Sequence, residues 1–297
     1  MSSIDLQDDR VILTNGNATA TILHYGATVI DWTIEGEKQL WLSTAAKLDG
    51  SKPVRGGIPL VFPVFGKSQD KGFENLPQHG FARNSTWEFL GQVKANPPTI
   101  QYALSPELAN AEIYSKWDNG DNDFNLILTI SLQENDLITE IEVENVDSKS
   151  WKFNWLFHTY LSTPHIEDTL VTNLPGEKCF DQLIGEEYIE KAPAIDFNSE
   201  LDRIYKKIPQ ERILQVVYKG NVIHSVQRES LKDVVVWNPW IDKSAGMADF
   251  EPKNGWENMV CIEPGFVSDF VLLNPGQKWK AKQIIYHNDQ EMNLQSV

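Results

Sequence analysis

Cysteine and histidine are scarce in this chain, which limits the kinds of site that it can build. The 297 residues include 2 cysteines and 6 histidines, so a framework of disulfide bonds is excluded. Cys179 and Cys261 have no third cysteine and no histidine at the spacing of zinc ligands. We therefore expect two reduced, buried thiols rather than a disulfide or a zinc site.

Basic residues and long apolar segments are also in short supply. Lysine and arginine number 26 against 42 acidic residues, which gives a net charge of −16. This charge repels the phosphates of nucleic acids and of anionic lipids, so neither is an expected partner.

No apolar run approaches the ~20 residues of a membrane-spanning helix. Residues 1–10 carry three aspartates where a signal peptide has basic residues. We expect a cytoplasmic protein, and the sequence leaves a nuclear pool open.

What the sequence does contain is a series of segments in which apolar and polar residues alternate. In residues 137–144 one side of the pattern is largely apolar and the other carries three glutamates, which predicts a half-buried strand. Ten further segments show strand patterns: 19–24, 27–34, 124–132, 151–162, 212–218, 222–228, 234–237, 259–263, 269–273 and 279–286. Short links rich in turn-forming residues, such as 219–221 and 274–276, favour antiparallel hairpins.

Helical periodicity is almost absent. Residues 105–117 predict a short helix, with Pro106 at its first position and Leu108, Ala109 and Ile113 on one face. No repeat, low-complexity tract or linker divides the chain. With 41% hydrophobic residues, a chain of this length can bury a large core. We predict an all-β fold with few short helices: one large antiparallel β-sandwich domain over residues 1–297.

Two arginines occupy unusual local sequences and together could bind an anion. Arg55 precedes two glycines in a segment where glycine and proline interrupt an apolar run, and Arg83 follows Gln78 and His79. A guanidinium matches a phosphate or carboxylate bidentately. In so acidic a protein, an anionic substrate needs such a local cationic patch. The alternative is that each arginine pairs with a surface carboxylate.

Three other side chains are candidates for proton transfer or for hydrogen bonding to a substrate. His158 lies within a strand pattern, and imidazole titrates near neutrality, which suits proton transfer. Glu263 stands at a predicted strand end, where partial burial would raise its pKa toward that of a general base. Asp202 could accept hydrogen bonds from hydroxyl groups. The alternatives are a structural histidine, a solvated glutamate and an aspartate that caps a turn.

Motifs at these residues resemble those of the glucose-6-phosphate 1-epimerases, the hexose-6-phosphate branch of the galactose-mutarotase-like (aldose 1-epimerase) superfamily, and its fungal members above all. The matching segments span nearly the whole chain: 24–28, 55–59, 77–83, 157–160, 202–205, 237–240 and 262–265. Two positions depart from the family pattern. Leu161 stands where an aromatic residue often follows the tyrosine, and Phe266 stands where a histidine can follow the glycine. These departures put fine substrate contacts in question.

The resemblance implies a β-supersandwich that interconverts the α and β anomers of glucose 6-phosphate without a metal or other cofactor. Opening the sugar ring requires a base that takes the C1 hydroxyl proton and an acid that protonates the ring oxygen. By similarity to the family, Glu263 is the base and His158 is the acid.

The same resemblance implies how the substrate is held. Arg55 and Arg83 would bind the 6-phosphate, while Gln78 and Asp202 would bind the sugar hydroxyls. His79 is a weaker candidate for a substrate contact. The implied partner is a small-molecule hexose 6-phosphate, and we expect a monomer.

Two other functions fit the same residues. An aldose 1-epimerase that acts on free galactose or glucose would use the same acid and base, but the paired arginines favour a phosphorylated sugar. A carbohydrate-binding module could keep the fold without turnover, although it would not need both His158 and Glu263.

Overall fold

Segments of alternating side chains form most of this structure. The computed structural model describes residues 2–288, which form twenty-one strands and two short α-helices. In chain order the strands are β1 (Ser2–Leu6), β2 (Arg10–Asn15), β3 (Ala18–Leu23), β4 (Val29–Ile34), β5 (Glu37–Lys38), β6 (Leu60–Val61), β7 (Glu88–Lys94), β8 (Thr99–Leu104), β9 (Phe124–Leu132), β10 (Asp136–Asn145), β11 (Trp151–Phe157), β12 (Tyr160–Ser162), β13 (Thr169–Thr172), β14 (Lys178–Asp181), β15 (Glu186–Ile189), β16 (Leu201–Lys206), β17 (Leu214–Tyr218), β18 (Asn221–Glu229), β19 (Asp233–Asn238), β20 (Met259–Leu273) and β21 (Lys278–His287). The helices are α1 (Ala111–Tyr114) and α2 (Trp240–Gly246).

These strands pair into three antiparallel sheets. The first sheet has the order β1-β2-β3-β4-β5. The second has the order β13-β17-β18-β21-β10-β9-β8-β7. The third has the order β15-β14-β16-β19-β20-β11-β6, and β12 also pairs with β20. The predicted all-β, antiparallel class with few short helices is confirmed.

The alternating pattern of strand β10 determines which face is buried and in which register the strand pairs. Its apolar side chains are buried, while its glutamates alternate with them on the other side. Glu140 and Glu142 lie opposite Lys282 and Lys280 of β21 in the pairing register, and each pair forms an ion pair. Opposite charges facing each other across an antiparallel ladder favour this register. A shift by one residue would bring the glutamates into the core.

One hydrophobic cluster joins all three sheets. It includes Trp32 from β4, Ile130 from β9 and Trp155 from β11, each fully buried. Phe62, just after β6, has four aromatic neighbours at centroid distances of 5.4–5.6 Å: Phe81, Trp117, Phe124 and Phe153. This packing anchors the glycine- and proline-rich segment that carries Arg55.

The prediction of a helix over residues 105–117 is wrong in its extent. Helix α1 begins only after Asn110, whose side chain accepts a hydrogen bond from the backbone N–H of Ile113. An asparagine that caps a helix in this way fixes its start, so Pro106 does not occupy the first helical position. Helix α2 was not predicted.

Strand boundaries also differ from the prediction. The segment 151–162 is divided into β11 and β12, with His158 and Thr159 between them. The segments 259–263 and 269–273 belong to one strand, β20. All six edge strands of the three sheets were missed: β1, β5, β6, β7, β13 and β15. Four interior strands were missed as well: β2, β8, β14 and β16. Edge strands are short or half exposed, so their apolar alternation is weak.

The prediction of two buried thiols without a disulfide bond is confirmed. Cys179 and Cys261 are free and buried. Among residues 2–288, no helix is long and apolar enough to cross a membrane.

Candidate active site

A cavity of about 350 Å³ opens on the third sheet. Its lining includes all six side chains singled out from the sequence: Arg55, Gln78, Arg83, His158, Asp202 and Glu263. The structure adds further lining residues: Phe65, Gly66, His79, Gln182, Val235, Trp237, Lys243 and Met247. Leu161 and Phe266, the two departures from the family pattern, do not belong to this lining.

The strand order of the third sheet brings the acidic side chains and the histidine together. Glu263 on β20 pairs with Val235 on the neighbouring strand β19. Asp202 on β16 pairs with Trp237, also on β19. His158 follows β11, the neighbour of β20 on its other side. Residues separated by up to 105 positions in sequence thus face one cavity because their strands are neighbours.

Glu263 lies inside a strand, so its predicted position at a strand end is wrong, and its burial excludes the alternative of a solvated glutamate. Strand β20 continues through Pro264 and Gly265 to Leu273. Gly265 allows this continuation, because a Cβ atom there would lie 2.9 Å from the carbonyl oxygen of Trp155 on β11. Only 2% of the glutamate is exposed.

His158 and Glu263 are in direct contact. The Nδ1 atom of His158 lies 3.3 Å from Oε1 of Glu263. Burial raises the pKa of Glu263 well above its usual range, and the nearby Asp202 adds to this effect. Burial lowers the pKa of His158 well below its usual range, and Arg83 and Arg55 lower it further. Both effects disfavour charge, so the pair holds a single proton over a wide pH range.

Aromatic rings fix the orientation of the imidazole. The ring of Tyr160 stacks on that of His158 with a centroid separation of 4.8 Å and an angle of 8°. Trp237 meets the imidazole edge-on at 6.0 Å. The backbone N–H of His158 donates a hydrogen bond to the carbonyl oxygen of Pro59. These contacts leave the imidazole little freedom to rotate.

Two arginines form the cationic end of the cavity, and they differ in their hydrogen-bond partners. Arg55 forms a bidentate contact with Asp249, at 3.3 Å for both hydrogen bonds, and donates a third to Tyr160 Oη at 3.2 Å. Arg55 therefore pairs with a carboxylate and also lines the cavity.

Arg83 has no carboxylate partner among the described residues. Its Nη2 atom donates to the carbonyl oxygen of Gln78 at 2.9 Å, and its buried Nε atom has no hydrogen-bond partner in the described part of the chain. Burial lowers the pKa of Arg83 to about 10, and the charge of Arg55 contributes to this shift. A buried, unpaired guanidinium N–H beside a second guanidinium favours the binding of an anion.

Polar side chains elsewhere in the cavity supply hydrogen-bond acceptors and donors. Gln182 donates to Oδ1 of Asp202 at 2.5 Å, and burial raises the pKa of Asp202 to about 6. Gln182, Lys243 and Met247 carry no local sequence signal and were not predicted. Only the pairing of β14 with β16 and the position of α2 bring them to the cavity.

His79 forms part of the cavity wall and its proton position is determined by one contact. The backbone N–H of Gly66 donates to Nδ1 of His79 at 3.1 Å. Because Nδ1 is an acceptor, the neutral ring carries its proton on Nε2. The side-chain amide of Gln78 lies 3.2 Å from this Nε2 atom. Because an amide nitrogen only donates, the amide has to present its oxygen to accept this proton. Burial lowers the pKa of His79, so the ring stays neutral.

One group of side chains could hold a metal ion. Among residues 2–288, the only cluster of three or more potential ligands within 4.8 Å of one another is His158, Cys261 and Glu263. No separate cofactor site is evident from the lining of this cavity.

Comparisons with known proteins agree with this geometry. A protein of Cenchrus ciliaris, named provisionally as a glucose-6-phosphate 1-epimerase, is 32% identical over 283 residues, which cover 92% of this chain and 83% of that protein. One of Escherichia coli with the same provisional name is 27% identical over 263 residues and covers 88% of this chain and 84% of its own length.

Solved structures share the fold. A provisionally named mutarotase from Salmonella typhimurium superposes with a TM-score of 0.80 at 22% identity, covering 97% of this chain and 94% of its own. A galactose 1-epimerase from Lactobacillus acidophilus does so with a TM-score of 0.72 at 15% identity, covering 97% and 98%. The family model described as aldose 1-epimerase matches residues 9–286. This chain therefore belongs to the aldose 1-epimerase family.

Proposed function

We propose that this protein interconverts the α and β anomers of glucose 6-phosphate. The observation that carries the proposal is a buried acid–base pair, His158 and Glu263, in the same cavity as two arginines, one of which has an unpaired buried N–H. The provisional names of the curated relatives point to the same substrate.

In the proposed reaction Glu263 takes the proton of the C1 hydroxyl and His158 delivers a proton to the ring oxygen. The pair holds one proton, and its transfer from Glu263 to His158 across 3.3 Å creates the carboxylate and the imidazolium without a change in net charge. The C1–O5 bond breaks as the C1–O1 bond becomes a carbonyl. Rotation about C1–C2 and closure on the other carbonyl face, with the roles reversed, gives the second anomer. Positioned proton transfer of this kind contributes ~10²–10⁴-fold in rate.

The two ends of the cavity support a definite orientation of the sugar. In the proposal the 6-phosphate lies against Arg55 and Arg83, where it supplies the anion that Arg83 lacks. Gln78 and Asp202 bind sugar hydroxyls, and His79 is a weaker candidate for a substrate contact. Without a phosphate Arg83 would have no anionic partner among the described residues, which favours hexose 6-phosphates over free hexoses.

The test is exchange spectroscopy of the anomeric protons at equilibrium, with glucose 6-phosphate, free glucose and free galactose as parallel substrates. We expect faster exchange for the phosphosugar alone. Acceleration of the free sugars to the same extent would assign the protein to the aldose 1-epimerases of unphosphorylated hexoses. No acceleration of any sugar would leave a carbohydrate-binding module as the better description.

We also propose that residues 1–297 act as one domain, as a cytoplasmic monomer on a small-molecule substrate and without nucleic acid. The shared core of the three sheets supports the single domain. The net charge of −16 is unfavourable for contact with phosphate polymers. Light scattering coupled to gel filtration measures the oligomeric state directly.

A further inference from the structure

The thiol of Cys261 lies against the acid–base pair and has no part in the sugar chemistry proposed above. Its Sγ atom is 3.9 Å from Nδ1 of His158, which in turn lies 3.3 Å from Oε1 of Glu263. All three side chains are buried, and their ligand atoms lie within 4.8 Å of one another. Thiolate, imidazole and carboxylate are the donors that zinc takes in proteins.

We propose that His158, Cys261 and Glu263 bind Zn²⁺ and that zinc bound there inhibits the enzyme. In a tetrahedral zinc site, bonds of about 2.0 Å to nitrogen and oxygen and about 2.3 Å to sulfur place nitrogen and oxygen about 3.3 Å apart, and nitrogen and sulfur about 3.5 Å apart. Nδ1 and Oε1 already have this separation. Sγ has to move toward Nδ1 by about 0.4 Å, and its separation from the carboxylate oxygen, at most 4.8 Å, has to become about 3.5 Å.

The fold holds these ligands rigidly. Cys261 and Glu263 are alternate residues of β20, so both point to the same face of the sheet. Cys261 pairs with Tyr160 on one side and with Trp237 on the other, so the strand is fixed by two neighbours. The stacked ring of Tyr160 holds the imidazole of His158. A site with little freedom loses little entropy when a metal binds.

The fourth coordination position would face the cavity. His158 and Glu263 line the cavity, while Cys261 lies behind them. Three protein ligands with one open position leave room for a water molecule or a sugar hydroxyl. The thiol proton and the proton shared by His158 and Glu263 are released to solvent as Zn²⁺ binds, so the two resulting anionic ligands balance its charge.

The proposed inhibition by zinc rests on the proposed function, whereas the proposed zinc binding does not. A metal on Nδ1 of His158 and on the carboxylate of Glu263 occupies the lone pairs that the proposed proton transfers require. The site is thus distinct from a catalytic zinc site, in which the ligands take no part as acid or base. It also differs from the expectation drawn from sequence spacing, because His158 and Cys261 are 103 positions apart.

Binding is tested with the full chain by titration with Co²⁺ and Zn²⁺. We expect one Co²⁺ per protein, with a thiolate-to-cobalt charge-transfer band that stoichiometric Zn²⁺ abolishes. Cys261→Ser should lose this band and weaken zinc binding by about 100-fold or more, since the loss of an outer-shell partner alone typically costs 10–100-fold. Cys179→Ser, which removes the other buried thiol, should behave as the wild type.

Absence of the thiolate band in the wild type, or equal zinc affinity in Cys261→Ser, would overturn the site. If Cys261→Ser does not fold, a zinc anomalous difference map of a soaked wild-type crystal decides the question: density among the three side chains supports the site, and density only elsewhere refutes it.

Inhibition is measured by anomer exchange at buffered concentrations of free zinc, and the rate of each variant is compared with its own rate without zinc. Wild-type activity that persists with the site filled would refute inhibition, whereas a protein inactive without zinc would refute the proposed function and leave the binding result intact.

Discussion

The imidazole of His158 and the phenol ring of Tyr160 stack almost parallel, with centroids 4.8 Å apart and planes 8° apart. The hydroxyl of the same tyrosine accepts a hydrogen bond from Arg55 at 3.2 Å. One side chain therefore contacts both the proposed acid and a proposed phosphate ligand, and its two contacts can be removed separately.

Tyr160→Phe keeps the stack and removes the hydrogen bond to Arg55. We expect KM for glucose 6-phosphate to rise about 3- to 10-fold with kcat nearly unchanged, because one hydrogen bond contributes about 0.5–1.5 kcal/mol. Tyr160→Leu removes the stack as well and should lower kcat by about 10-fold, in line with about 0.5–1.5 kcal/mol for an aromatic pair. Saturation kinetics by anomer exchange separates the two parameters. A fall in kcat for Tyr160→Phe equal to that for Tyr160→Leu would contradict the separation.

Glu263→Gln keeps the shape of the side chain and removes its ability to take a proton. We expect kcat to fall by about 10²- to 10⁴-fold, with much less change in affinity for glucose 6-phosphate. The control is Glu134→Gln, an exposed glutamate away from the cavity, which should match the wild type. Calorimetric binding and exchange spectroscopy measure affinity and turnover. An unchanged kcat would remove Glu263 from the proton-transfer step.

Arg83→Gln removes the guanidinium that has no carboxylate partner in the described structure. Loss of a charge-assisted hydrogen bond, at about 1.5–3 kcal/mol, should raise KM for glucose 6-phosphate about 10- to 100-fold. Any residual activity toward free glucose should not change. Arg83→Lys should restore only part of the affinity, since an ammonium cannot bind a phosphate bidentately. Equal losses toward both sugars would argue against a phosphate contact.

Asp202 gives a prediction about pH. Burial raises the pKa of its carboxyl from 3.8 to about 6 in the folded protein, so the folded state binds this proton more tightly than the unfolded chain does. Ionisation of Asp202 therefore lowers the free energy of unfolding as pH rises from about 4 to about 6, and the decrease is complete above that range. Asp202→Asn should raise Tm relative to the wild type at pH 7, and the difference should vanish near pH 3.5. Thermal unfolding of both proteins across this range measures it, and a difference independent of pH would contradict the shift.

Gly265 tests the close approach of β20 to β11. A methyl group there would meet the carbonyl oxygen of Trp155 at 2.9 Å and Cβ of Leu156 at 3.0 Å, so Gly265→Ala should destabilise the fold by about 1–3 kcal/mol. Gly246→Ala is the matched control, because nothing lies within 4 Å of a Cβ at that position. It ends helix α2, where alanine is better than glycine by up to about 1 kcal/mol. Urea unfolding of both variants gives the two free energies, and similar losses would contradict the steric argument.

The sequence predicted most interior strands, but it missed β2, β8, β14 and β16 and every edge strand of the three sheets. Strands such as β10 are buried on one face along their whole length, so their alternation is strong. Edge strands such as β5 and β6 have two residues each, which is too short for a pattern. The single strand β20 was divided in the prediction because proline and glycine usually turn a chain, whereas here neighbours on both sides keep it extended.

The sequence by itself determined the class of the fold and the excess of negative charge, and with the family resemblance it singled out six residues that are among those lining the cavity. Period-two alternation and residue chemistry are local properties, so they can be read without coordinates. Only the tertiary structure decided that Arg55 has a carboxylate partner while Arg83 has none among residues 2–288, and that Cys261 lies beside His158 and Glu263. The position of Cys261 and Glu263 beside His158 depends on the pairing of β20 with β11, and strand order follows from packing between residues that are distant in the chain.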